Sequence, residues 1–192
     1  FPLRYHYRAT SLVSECSISN SLPPAGDLAD GERESLSTYL EVLLDEEHLA
    51  PFRDFASQSV DPSLSWAEKI DAVLRSLGIC KYDAAGEEDA TVDALSNFLF
   101  GTRLGDCTEF SNTAALLGRI VGIPSRVVTG YAVTKDLQTA AHREGVRRIV
   151  ENFPPLGGKD PSRLFLVTTA HAHSWVEFYV PDAGWVDFES TQ

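Results

Sequence analysis

The 192 residues suffice for one domain with its own core, and a 43% hydrophobic content is ordinary for a globular chain. A net charge of -12 argues against a nucleic-acid partner, which would favour a basic stripe. No apolar run approaches the roughly 18–20 residues needed to span a membrane, and nothing resembles a signal peptide. The chain begins Phe1-Pro2-Leu3 and contains no methionine, so it reads as a processed chain or a piece of a longer one. Its three cysteines, Cys16, Cys80 and Cys107, lack the short paired spacing of zinc ligands, and no metal is expected. In an oxidising compartment Cys16 and Cys80 could pair and leave Cys107 free.

Residues 1–33 read as an N-terminal strand and linker, with Leu3, Tyr5 and Tyr7 alternating ahead of a turn-rich stretch. A helix is predicted over 34–48, where Leu36, Tyr39, Leu40, Leu43 and Leu44 share a stripe and Pro51 acts as the stop. Asp61-Pro62-Ser63 starts a second helix, carrying Leu64, Trp66, Ile70, Val73, Leu74 and Leu77 up to Gly78. A short helical stretch over 92–100 leads to Gly105-Asp106-Cys107-Thr108-Glu109-Phe110. There Cys107 opens a helix that Gly122-Ile123-Pro124 ends. Beyond Pro124 the period changes, and strands are predicted over 125–133, 164–169, 173–180 and 185–189. A long connection, 134–163, separates the first two of these, and loops of that length are often functional or mobile. Helices over 34–122 followed by a sheet over 123–192 make an α+β domain of residues 34–192.

A thiol at a helix N-terminus meets partial positive charge and unpaired N–H groups, which favour the nucleophilic thiolate. A buried structural cysteine is the plainer reading of Cys107 taken alone. The segment His173-Ser174-Trp175-Val176-Glu177-Phe178-Tyr179-Val180 alternates strictly. Val176, Phe178 and Val180 face the core, and His173, Trp175, Glu177 and Tyr179 face the other way. After the turn, Val186 and Phe188 are the core set, with Trp185, Asp187 and Glu189 opposite. If core faces core, odd positions pair with odd, so Tyr179 sets against Trp185, Glu177 against Asp187 and Trp175 against Glu189. Glu189 then lies diagonal to His173, roughly 7–8 Å away between backbones and within side-chain reach. Asp187 is the alternative acid, and His171 competes with His173 on the same face.

Three motifs in this order make the chain resemble the transglutaminase-like superfamily, with papain-like cysteine peptidases as more distant relatives. They are Gly105-Asp106-Cys107-Thr108-Glu109-Phe110; Gly122-Ile123-Pro124-Ser125-Arg126 running into Val127-Val128-Thr129-Gly130-Tyr131; and His173-Ser174-Trp175-Val176-Glu177 followed by Gly184-Trp185 and an acid. The resemblance implies a papain/transglutaminase-like fold, with N-terminal helices and the nucleophile helix packed on an antiparallel β-sheet. It implies Cys107 as nucleophile, His173 as base and Glu189 as orienting acid, glutamate standing where the family usually has aspartate. Trp175 and Tyr131 are candidate substrate-binding residues. No cofactor is implied, and the partner would be a peptide or protein substrate. Similarity to the bacterial membrane-anchored branch implies an extracytoplasmic soluble domain, with membrane anchors elsewhere in a larger protein.

The chemistry expected is thiol acyl transfer, by a protease or amidase if water resolves the thioester and by a cross-linking enzyme if an amine does. The reading from another class is a catalytically silent binding or assembly module. Arg143, Arg147 and Arg148 in the long connection are either a site for substrate carboxylates or a solvated helical face.

Overall fold

The computed structural model describes residues 28–85 and 89–191; the predicted strand near Leu3, and Cys16, lie outside them. The first helix, α1 (Asp30–Ser35), falls partly within the predicted linker, and a 3-10 turn (Ser37–Tyr39) follows it. Leu28 is buried, so this end of the linker belongs to the domain. The single helix predicted over 34–48 is not formed. Asp45 breaks it by capping α2 (Glu46–Ser59), its carboxylate accepting the His48 N–H at 3.0 Å. Pro51 lies inside α2 instead of ending it. It removes one N–H near the helix start, while Phe52 and Ala56 beyond it are buried, so packing carries the helix past the proline.

The next helix, α3 (Trp66–Ser76), starts later than Pro62 suggests, because Ser65 and Glu68 form a capping box. Its stripe of Trp66, Ile70, Val73 and Leu77 is buried as predicted. A two-residue strand β1 (Lys81–Tyr82), the short helix α4 (Val92–Ser96), a π-helical stretch (Asn97–Thr102) and β2 (Leu104–Gly105) lead to α5 (Cys107–Ile120). β1 and β2 pair in parallel, Tyr82 opposite Gly105.

The sheet is antiparallel in the order β3 (Ser125–Tyr131), β4 (Ala172–Val180) and β5 (Gly184–Phe188). Phe110, Ala114 and Leu117 of α5 pack with Val176, Phe178, Val180, Val186 and Phe188 in one core. Gly118 permits that approach: a Cβ there would lie 2.5 Å from the Phe178 ring and 2.3 Å from Ser125 Oγ. On the other face, Arg126 pairs with Glu177 and lies 4.2 Å over the Trp185 ring. Tyr39 meets Trp185 edge-on at 4.7 Å, and Tyr179 donates to Glu32 at 3.0 Å, tying the first turns to the sheet.

The long connection has structure of its own, α6 (Ala140–Asn152). The strand predicted over 164–169 is absent. The Gln138 side-chain amide meets both backbone groups of Leu166, accepting its N–H at 3.0 Å and donating to its carbonyl at 3.1 Å. With those groups satisfied, this stretch makes no ladder.

Candidate active site

Cys107 is the first residue of α5 and is buried. Asp106 caps the helix by accepting the Thr108 N–H at 2.6 Å, and Glu109 reaches back to accept the Asp106 N–H at 2.8 Å. The reciprocal cap leaves the Cys107 N–H without a partner among the described residues, available to an oxygen that arrives at the thiol. Burial pushes the Glu109 carboxyl above its ordinary value, against the pull of the Asp106 N–H.

The histidine end follows from register. Tyr179 pairs with Trp185 and Glu177 with Asp187, the odd-with-odd arrangement that core parity requires. The tight turn is possible because Asp182 and Gly184 take left-handed backbone, φ 66° and 81°. Beyond the last pair, Glu189 Oε2 lies 2.7 Å from His173 Nε2. Its other oxygen, Oε1, accepts the Thr191 N–H at 3.0 Å and the Thr191 hydroxyl at 2.5 Å. Burial works to raise the Glu189 carboxyl, and the bonds from Thr191 and His173 outweigh it, holding the group below its ordinary value. An ionised carboxylate only accepts, so His173 meets Glu189 with an Nε2–H donor.

Asp187 is placed elsewhere. It accepts the Trp175 indole N–H at 2.8 Å. His171 does not compete, because it is buried, with Nδ1 3.0 Å from the Thr168 N–H and Nε2 3.2 Å from the Gln138 amide.

The two ends meet where α5 crosses β4. Ser111, one turn along from Cys107 on the same face, bonds Ser174, the neighbour of His173, at 2.9 Å. This buried pair ties α5 to β4 beside His173, and no hydrogen bond joins the thiol and the imidazole among the described residues. Tyr131, candidate for the substrate side, is exposed at the end of β3, beside the Gly130–His173 pair.

Tyr82 was not legible in the sequence. Burial raises its hydroxyl, and Cys107, Asp106 and Glu189 raise it further. A two-residue strand has no periodicity by which to place it. The connection's arginines have their own partners: Arg147 and Arg148 pair with Glu144 on α6, and Arg143 donates to the Gln138 carbonyl. All three stand on α6. Cys80 is a free thiol, buried, with its pKa pushed up to about 11 by that burial.

A cysteine-headed helix laid across an antiparallel hairpin that carries an acid-bonded histidine places the domain in the α+β class of transglutaminase and papain-like folds. Residues 53–190 match the family described as the transglutaminase-like superfamily, and the chain belongs to that superfamily. It is 38% identical over 100 residues to the uncharacterized protein YebA of Bacillus subtilis, covering 52% of this chain and 11% of YebA. It is 31% identical over 99 residues to a protein-glutamine gamma-glutamyltransferase of Pseudomonas aeruginosa, covering 52% of this chain and 12% of that protein. The chain thus spans a small part of the curated relatives it matches. The crystal structure of the periplasmic domain of TgpA from Pseudomonas aeruginosa, bound to ethylmercury, superposes with a TM-score of 0.58 at 23% identity. That match covers 82% of this chain and 48% of the TgpA domain, and it shows the shared fold.

Proposed function

We propose that this domain performs cysteine-dependent acyl transfer on peptide or protein amides, with Cys107 as nucleophile, His173 as base and acid, and Glu189 as the orienting acid. The observation that carries this reading is the 2.7 Å contact from His173 Nε2 to Glu189 Oε2, which leaves Nδ1 without a hydrogen bond among the described residues. His173 takes the thiol proton, and the thiolate sulfur adds to the amide carbonyl carbon. The Cys107 N–H meets the oxygen as negative charge gathers there. The C–N bond breaks, the amine leaves with the proton from His173, and a thioester remains on Cys107. Water then gives the acid, or a primary amine gives a new amide, with His173 accepting the second nucleophile's proton.

Glutamate in the acid position lengthens the arm by one methylene, and the two Thr191 bonds to Oε1 support the longer arm. The name borne by the Pseudomonas aeruginosa relative favours a glutamine side-chain amide as acyl donor. The likeness to a periplasmic domain favours an extracytoplasmic setting, with membrane anchors in flanking parts of a larger protein.

A thiol-reactive acylating probe should label the wild-type domain at Cys107, and Cys107→Ala should abolish that labelling. Continued labelling of the variant at the wild-type rate would overturn the assignment. Turnover of glutamine peptides with added primary amine then separates the acceptors: an amine adduct marks transfer, and free acid alone marks hydrolysis.

A further inference from the structure

Two acids stand on β5 and its extension, and only one touches the imidazole. Asp187 sits opposite Glu177, whose carboxylate is already paired with Arg126. Asp187 is thereby left to the diagonal neighbour, and its Oδ1 takes the Trp175 N–H at 2.8 Å. Trp175 pairs in register with Val128, yet the far edge of its indole lies over Gly130, the residue paired with His173. A Cβ on Gly130 would come within 3.0 Å of Trp175 Cη2 and 3.2 Å of Cζ3. The indole therefore leans along the strand toward His173, over a position where any side chain would push it back. The two rings lie 6.2 Å apart between centroids with planes 24° from parallel. Residues two apart on a strand share a face, so the indole walls one side of the imidazole.

We infer that Trp175 is a positioning residue for His173 and that Asp187 acts through it, one acid of the hairpin holding the imidazole and the other holding the indole that confines it. This rests on the acyl-transfer reading above. The bond to Glu189 fixes a single atom, Nε2, and leaves the ring free to swing about it. The indole face restricts that swing. With its N–H occupied by Asp187, Trp175 offers substrate a flat ring face and no donor, which narrows the substrate-binding role expected of it.

The readout is the rate of Cys107 alkylation by iodoacetamide across pH, followed by mass spectrometry with the buried Cys80 as internal reference. Misplacing a reacting group by a fraction of its working geometry costs about 10- to 100-fold. Asp187→Ala and Trp175→Leu should slow Cys107 alkylation at mildly acidic pH by about 10-fold and move the acid limb of the profile upward. Asp187→Asn keeps an acceptor oxygen for the indole and should restore the wild-type profile. Thermal unfolding of each variant separates a moved imidazole from a lost fold. Wild-type behaviour of Asp187→Ala, or an Asp187→Asn variant as impaired as Asp187→Ala, would overturn the inference. A wild-type Cys107 no faster than Cys80 would instead overturn the acyl-transfer reading on which it stands.

Discussion

The β4–β5 hairpin and the connection over 132–171 adjoin one another and are held by opposite means. The hairpin is held by a backbone ladder, with every pair from Val176–Phe188 to Val180–Gly184 in one register. The connection is held by side chains, above all the Gln138 amide that meets Leu166 twice and His171 once. A ladder makes position periodic, and a one-residue slip would turn the whole His173 face into the core. A side-chain clasp between residues far apart in sequence has no period and tolerates change in the chain it spans. His173 stands on the β3–β4 ladder and Glu189 just past the end of the β4–β5 one, whereas the clasp carries only the connection.

The largest effect expected is on the ladder side. In Glu189→Gln the two Thr191 donors still require an oxygen at Oε1, so the amide nitrogen turns to His173. Nε2 must then accept, and the ring proton moves to Nδ1, the position needed as base. Cys107 acylation should fall by about 10²- to 10⁴-fold with the fold intact. Stopped-flow or quenched labelling would check it, and a loss below threefold would break the contrast between the two regions.

On the clasp side, Gln138→Ala leaves the Leu166 backbone and one His171 nitrogen unpaired. It should cost about 1–3 kcal/mol in chemical denaturation while leaving the pH profile of Cys107 alkylation in place. Loss of that profile would show that the connection also sets the site. Acid titration sharpens the same contrast. Glu189 has a folded-state pKa below its ordinary 4.5, so its bonds contribute stability above that value, and the contribution is lost as pH falls through the lowered one. The stability difference between wild type and Glu189→Gln should be flat above pH 4.5 and shrink below it. The smallest effect belongs to Arg147→Ala and Arg148→Ala, whose exposed pairs with Glu144 should change stability by less than about 0.5 kcal/mol and acylation not at all.

What could be foreseen follows the same division. Cys107 at a helix start, the hairpin register and the reach of Glu189 to His173 follow from caps and parity, and these are local or periodic signals. The break at Asp45 and the passage of α2 through Pro51 were missed, because a cap and the burial of Phe52 outweighed the apolar stripe and the proline. The strand expected over 164–169 does not form, because an amide from 28 residues away satisfies the Leu166 backbone. The division of labour between Asp187 and Glu189 needed the lean of one indole over Gly130, which a pattern of alternating residues does not encode.

Cys107 as an acyl-accepting thiol served by His173 and Glu189 is open to direct test. Its most direct measurement is mass spectrometry of the intact domain and its peptides after brief exposure to an acylating amide or ester probe at mildly acidic pH. A thioester should form on Cys107 and not on Cys80, slowed by orders of magnitude in Glu189→Gln and essentially unchanged in Asp187→Asn. An unmodified Cys107, or an Asp187→Asn variant slower than Glu189→Gln, would contradict it.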